Sequence, residues 1–232
     1  MTRASPTIRR RFLFSGAVMC AAAGLARGQC PPPDTAATWA RVLRAWQSEA
    51  GLRWSNDSLR RQLLAAERED QAARTDLGTR LGDTAYVRML LRTDSSRGLW
   101  LDSVIRTVGL PTRSLVGARG ADAALLIAQH NGWLLPRVLE LAKKAGPGQT
   151  SPAMVAIMED RVRVQRGERQ LYGSQFTLMP NGVYKFEPVD DVGHLAERRA
   201  SAGLVPLVPD YVCNFEEAGM RIDRSSLPRI PR

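Results

Sequence analysis

The chain has 232 residues, with 33 Lys or Arg against 23 Asp or Glu, and a formal net charge of +10. Residues 1–28 hold five of the arginines and no acid, so subtracting five from +10 leaves +5 for the remainder. The other basic residues are spread out and are not interleaved with aromatic ones, which argues against a nucleic-acid-binding groove. About two hundred residues suffice for one domain with a sizeable core.

The N-terminal segment predicts export. Arginines precede the apolar run FLFSGAVMCAAAGLA and then small residues, a pattern typical of a signal peptide over residues 1–28. Cleavage is possible after Ala26 or Gly28, and Gly28 is favoured. The residues RRRFLF also resemble a twin-arginine signal, with the general secretory route as the alternative. We therefore expect a periplasmic or secreted protein, with no further segment able to span a membrane.

Cysteine usage is consistent with export. Once the leader is removed, Cys30 and Cys213 remain, an even pair at opposite ends of the chain in an oxidising compartment. We predict that they form a disulfide. The alternative is that Cys30, beside three prolines, is too mobile to pair.

The hydrophobic pattern predicts a mainly α fold. After a Pro-rich lead-in at 29–34 we expect one helical domain over residues 35–213, with about seven helices. Asp34 is a candidate cap for the first helix, a second runs from about Asp57 to Arg74, and AYVRMLL and LWLDSVIRTV predict two short helices. Later helices are expected in ADAALLIAQHN, in WLLPRVLELAKKAG, in PAMVAIMEDRVRVQR capped by Ser151, and over about 190–202.

One β-hairpin is predicted near the C-terminal end, over residues 169–187. The stretches 170–178 and 183–187 alternate around PNG, in which Gly182 suits the left-handed position of a turn. Residues 214–232 are expected to form a loose tail rich in Arg and Pro.

Common catalytic signatures are missing from this sequence. HExxH, GxSxG, the phosphate-binding GxxxxGK and paired CxxC do not occur, so neither a cofactor nor a metal is expected. Asp190, Asp191 and His194 could be read as metal ligands, but acids at a helix start ordinarily complement the helix dipole.

Two polar residues fall where apolar ones are expected. His130 shares a helix face with Ala123, Leu126 and Ile127, and Asp160 shares one with apolar neighbours in the helix that follows Ser151. A buried acid needs a partner, so Asp160 is a candidate to orient His130 for acid–base chemistry. The alternatives are a core histidine satisfied by hydrogen bonds and a structural ion pair, or a bond from Asp160 to hairpin backbone.

The predicted hairpin could add further polar groups. In a regular strand Gln170 and Tyr172 share one face, and a bulge at Gly173 would bring Gln175 round to join them. We then expect one polar cleft with a catalytic pair and a set of ligand-binding side chains, namely His130 and Asp160 with Gln129, Arg161, Gln170, Tyr172 and Gln175.

Several motifs in order resemble a widespread bacterial family classed as a domain of unknown function. They include EDQAAR, GLPTRSLVG, AALLIAQH, DRV, GERQLYGSQ and ERRASAGLVPLVPDY, and they span about Leu59 to Tyr211. The family pattern has GWPT where Leu110 stands here, and QxYGTQ where Ser174 stands. The resemblance implies that His130, Asp160, Arg161, Gln170, Tyr172 and Gln175 belong to the family's motif set, and it implies no activity.

Two functions remain open from the sequence. One is a non-catalytic module that binds a polar small molecule or an envelope component. The other is a small exported hydrolase-like enzyme that uses His130 as general acid or base. Asp70, Gln71 and Arg74 are interpreted as a polar helix face, which could also reach the cleft.

Overall fold

The computed structural model describes residues 13–15, 30, 34, 36–75, 80, 82–217 and 219–229. Most of the predicted signal peptide and Pro-rich lead-in lies outside them. Within these residues there are eight α-helices: α1 Thr38–Gln47, α2 Asp57–Arg74, α3 Thr84–Val108, α4 Arg113–Gln129, α5 Leu135–Lys144, α6 Pro152–Gln165, α7 Leu195–Ser201 and α8 Val212–Glu217. The strands are β1 Leu13–Ser15, β2 Gln175–Leu178, β3 Val183–Phe186 and β4 Arg221–Asp223. The fold is mainly α, as predicted.

Side-chain caps define the starts of three helices. Asn56 Oδ1 accepts from the third residue of α2, Asp83 Oδ1 accepts from two N–H groups of α3, and Ser151 Oγ accepts from Met154 N in α6. Each cap satisfies backbone donors that a helix start leaves without an intrahelical partner. The predicted starts at Asp57 and after Ser151 are confirmed.

Helix α3 is one helix of 25 residues, where the sequence predicts two shorter ones. Gly98 in its middle does not end the helix. It allows the side chain of Asn131 to approach the helix backbone closely. A Cβ atom at this position would lie 2.2 Å from Asn131 Oδ1. The glycine is therefore explained by packing, and its cost in helix propensity of about 1 kcal/mol is offset elsewhere.

The larger hydrophobic core lies among α2 to α6. Helix α4 is at its centre, and the side chains of its second half are almost all buried. Leu63 of α2, Leu101 of α3 and Val138 of α5 each have 0% exposure. This core holds α2 and α4 as fixed supports for the polar residues described below.

A small sheet with its own aromatic core covers the other side of α6. Strands β2 and β3 pair antiparallel with Phe176 opposite Phe186, β4 pairs parallel with β3, and β1 pairs antiparallel with β2. Strand β1 lies within the predicted signal peptide. The rings of Phe176, Phe186, Tyr211 and Phe215 pack with centroid separations of 5.0–6.2 Å.

The C-terminal region differs from the sequence prediction in two places. Strand β2 begins at Gln175, not at Gln170, because residues 171–174 form a loop around a buried carboxylate. The expected loose tail is instead ordered as α8, β4 and a 3₁₀ turn at Arg224–Ser226, because Phe215 belongs to the aromatic core and β4 extends the sheet. The predicted helix after Asp190 starts only at Leu195, after a 3₁₀ turn.

The predicted disulfide is confirmed. Cys30 and Cys213 are bonded, and their Cα atoms lie 5.7 Å apart. The bond ties residue 30 to α8 and so to the sheet side of the domain. Among the described residues, no helix has the length and apolar character needed to cross a bilayer.

Candidate functional site

Asp160 in α6 binds the backbone of the 171–174 loop. Its carboxylate accepts from Leu171 N at 2.6 Å, from Tyr172 N at 3.0 Å, and from Ser174 N and Oγ at 2.9 and 2.8 Å. Burial raises the pKa of Asp160, and the N–H and hydroxyl donors partly offset this. All four partners donate, so the ionised form is the one that fits.

Arg199 of α7 holds the same loop through its carbonyl groups. Its Nη1 donates to Tyr172 O at 2.6 Å and to Gly173 O at 3.0 Å, and its guanidinium lies 4.6 Å from the centroid of the Tyr211 ring. Burial lowers the pKa of Arg199 to about 10, so the side chain stays charged at neutral pH. A buried anion thus holds the loop's N–H groups while a buried cation holds its C=O groups.

The side chain of Gln170 bonds the backbone at the end of this loop and at the start of β2. Its Oε1 accepts from Ser174 N and Gln175 N, both at 2.8 Å, and its Nε2 donates to Gln175 O and Glu187 O. The turn requires Gly173, which has φ +65° and whose Cβ would lie 3.0 Å from the Phe186 ring. A residue with a side chain would be strained in this conformation.

Arg161 and Gln175 extend the polar joint toward α4. Arg161 Nε donates to Gln175 Oε1 at 3.1 Å, and its Nη1 donates to Gln129 O at 2.5 Å. Burial lowers the pKa of Arg161 to about 10. Gln129 is buried, with its Nε2 3.6 Å from the Met154 sulfur. These contacts join α4, α6 and β2 through one network.

The expected open cleft does not form around these residues. Asp160, Gln170 and Gln175 have 0% exposure, and their side-chain polar atoms bond backbone groups and the side chains of Ser174 and Arg161. No strand bulge forms at Gly173, because the strand begins only at Gln175. The Gln170 side chain bonds the backbone of Gln175, while the Gln175 side chain bonds Arg161 and Ile157 O. The Tyr172 side chain is half-buried and packs on Ala156 and Ile157, whereas its backbone N–H and C=O bond Asp160 and Arg199.

His130 is not paired with Asp160, which corrects the catalytic pair expected from the sequence. Its Nδ1 lies 3.2 Å from Asp70 Oδ1, on α2. The reason is that α2 packs along α4, whereas Asp160 turns toward the 171–174 loop. The polar helix face at Asp70 and Arg74 therefore reaches His130, although not the other predicted ligand-binding residues.

Four charged residues on α2 and α3 form a network around His130, which we name the Asp70 cluster: Asp70, Arg74, Asp94 and Arg97. Arg74 bridges the two acids, with its Nη1 and Nη2 each 2.5 Å from a carboxylate oxygen of Asp70 and Asp94 respectively. Arg97 Nη1 lies 3.5 Å from Asp70 Oδ1, and its Nη2 lies 3.3 Å from the exposed carboxylate of Glu69. The charges balance, as a largely buried network requires.

The electrostatics of the Asp70 cluster favour a neutral His130. Burial lowers the pKa of His130, although the hydrogen bond with Asp70 opposes this. For Asp70, burial raises the pKa, but the hydrogen bond with His130 and the nearby cations outweigh it and hold it below its usual value. An ionised Asp70 accepting from Nδ1–H would leave the Nε2 lone pair available.

A metal at this cluster is disfavoured by the position of Arg74. The ligand atoms of Asp70, Asp94 and His130 lie within 4.8 Å of one another, which is close enough for shared coordination. The Arg74 guanidinium, however, already bonds both carboxylates. The sequence also allowed Asp191 and His194 to be read as metal ligands. In the structure they are exposed and pair with each other at 2.8 Å, and Arg198 lies 3.2 Å from Asp191.

Sequence reasoning missed Asp94, Arg97 and Arg199. A signal existed for two of them, because Asp94 shares its helix face with the buried Leu90 and Leu101, and Arg199 follows the buried Leu195 by one turn. A charged residue on an apolar face indicates a buried ion pair or a backbone contact.

Comparison with known proteins places the chain in a family without assigning an activity. No curated protein and no solved structure matches the chain significantly. The family model that matches is described as a family of unknown function, DUF6624, and it covers residues 57–222, from the first residue of α2 to β4. The match includes both the Asp160 joint and the Asp70 cluster, and the chain belongs to this family.

Proposed function

We propose that this protein is a non-catalytic binding module of the cell envelope, in which Asp160, Arg161, Gln170 and Gln175 are a structural joint. One observation carries the proposal: the Asp160 carboxylate has 0% exposure and is saturated by donors from the 171–174 loop. A substrate could reach it only if that loop left α6. Catalytic acids, in contrast, face a space in which a reacting group can sit.

The envelope location is supported by two features of the chain. A disulfide such as Cys30–Cys213 persists mainly in oxidising compartments. The residues preceding it have the composition of a signal peptide. Both features favour a protein that works outside the cytoplasm.

The test is to express the full-length chain with its own leader and to recover it from the periplasmic fraction. We expect an intact mass that lacks residues 1–28 and includes the disulfide, and saturable co-sedimentation with an isolated envelope fraction, either cell-wall sacculi or outer-membrane vesicles. An uncleaved chain confined to the cytoplasm, or binding to neither fraction, would contradict the proposal.

A second candidate is a hydrolase-like enzyme with His130 as general base, and the His130–Asp70 contact favours it. Asp70 would take the orienting role that the sequence assigned to Asp160. Against it, no Ser, Thr or Cys side chain is hydrogen-bonded to His130 within the described part of the chain, so no activated nucleophile can be named.

The two candidates differ in their response to His130→Gln. The enzyme requires a loss of turnover of at least about 100-fold on any ester, amide or glycoside substrate that the wild type cleaves, with folding retained. The binding module predicts no turnover in the wild type and unchanged envelope binding in the variant. His194→Gln is the matched control, because it removes the histidine of an exposed His–Asp pair.

A further inference from the structure

Helices α2 and α3 run antiparallel, and the seam between them differs at its two ends. At one end it is closed, because Arg74 bonds Asp94 and the Tyr86 hydroxyl bonds Ala73 O. At the other end, where the start of α2 faces the end of α3, the helices leave a cavity of about 320 Å³. This lies at the small end of the range of about 300–1,000 Å³ for ligand pockets.

The lining of this cavity, which we name the α2–α3 groove, carries no ionisable side chain. It combines an indole and aliphatic side chains with two amides and three hydroxyls, and its members include Trp100, Val104, Val108, Asn56, Gln62 and Ser103. The closed end of the same seam is held by four charges. A ligand in the groove would therefore find no counter-charge, and its chemistry must be neutral.

The Trp100 side chain is fixed by contacts with the larger hydrophobic core. It is partly buried and packs against the helical core, so one part of the indole is fixed while the rest lines the groove. Asn56 Oδ1 is used to cap α2, which fixes that side chain and leaves its Nδ2 for another acceptor. An aromatic ring and an amide are thus pre-oriented, and little side-chain freedom would be lost on binding.

We propose that the α2–α3 groove binds a neutral saccharide, an inference that rests on the proposed binding function and names its ligand class. A pyranose ring has an apolar C–H face that packs on an indole and a rim of hydroxyls that pairs with amides. An aliphatic chain would cover the partly buried Asn56 amide without offering it an acceptor. A charged ligand would lose hydration without gaining an ion pair.

The experiment uses the exported protein and two soluble neutral probes, the trisaccharides of N-acetylglucosamine and of glucose, in calorimetric titrations. We expect saturable binding of at least one. Ser103→Phe fills the groove from an exposed position, and Gln62→Ala removes an amide that would pair with the sugar hydroxyls. Each should weaken binding by at least about tenfold. Trp133→Ala is the control, because Trp133 is 55% exposed and lies outside the lining.

The outcomes separate this inference from the function on which it rests. If the protein binds an envelope fraction but neither trisaccharide, the saccharide assignment is wrong and the binding function stands. If it binds neither envelope nor sugar, both are wrong. If a trisaccharide binds wild type and both groove variants equally, while all remain folded by circular dichroism, sugar binding lies elsewhere and the groove assignment is overturned.

Discussion

Replacing Asp160 by alanine removes an acceptor on which the 171–174 loop depends. Ser174 N keeps Gln170 Oε1 as an acceptor, so the backbone N–H groups of Leu171 and Tyr172 are the ones left without a partner. An unsatisfied buried donor costs about 1–3 kcal/mol, so the free energy of unfolding should fall by about 2–6 kcal/mol. At about 2–4 °C per kcal/mol for a domain of this size, a loss near 4 kcal/mol lowers Tm by about 8–16 °C.

The assay is thermal unfolding with the disulfide intact, followed by circular dichroism. Asp160→Asn should lose less stability than Asp160→Ala, because one carbonyl oxygen still accepts from the loop. Glu159→Ala is the control, an acid on the same helix that pairs with the half-exposed Lys143 and should change stability by less than about 1 kcal/mol. If Asp160→Ala melts within about 2 °C of the wild type, water must reach the loop and the sealed joint is incorrect.

Three other predictions concern stability. Burial raises the pKa of Asp122 to about 7, far above its unfolded value of about 3.9, so stability should fall as pH rises from about 4 to 7 and then level off. The measurement is the urea midpoint at pH 5 and at pH 8, and the difference between the two should be smaller in Asp122→Asn than in the wild type. Gly173→Ala should destabilise more than Gly182→Ala, because both have positive φ but only Gly173 faces a packed ring; equal losses would contradict this. Cys213→Ser should cost about 2–5 kcal/mol and match the reduced wild type in denaturant unfolding.

Features encoded by neighbouring residues could be predicted from the sequence. The cap at Ser151 and the bounds of α2 follow from side chains within one turn of the helix ends. The inward position of His130 follows from the spacing of the apolar residues before it. The disulfide needed only a count of cysteines and the expectation of an oxidising compartment.

The partners of buried polar groups could not be predicted in the same way. His130 meets Asp70, which lies 60 positions earlier in the chain, because of how α2 packs on α4, and helical periodicity contains no information on that pairing. Residues 171–174 alternate in sequence like a strand, but they form a loop because Asp160, Gln170 and Arg199 bond its backbone. Parallel pairing of β4 with β3 likewise depends on contacts distant in sequence.

The hold on the 171–174 loop by Asp160 and Arg199 has a consequence for how the domain unfolds. Asp160 belongs to a helix packed on the larger core, while Arg199 belongs to a helix beside the aromatic core. Neither charge can stay buried once the loop between them detaches, since an isolated buried ion costs several kcal/mol. The two cores should therefore melt in one cooperative transition, with equal calorimetric and van't Hoff enthalpies.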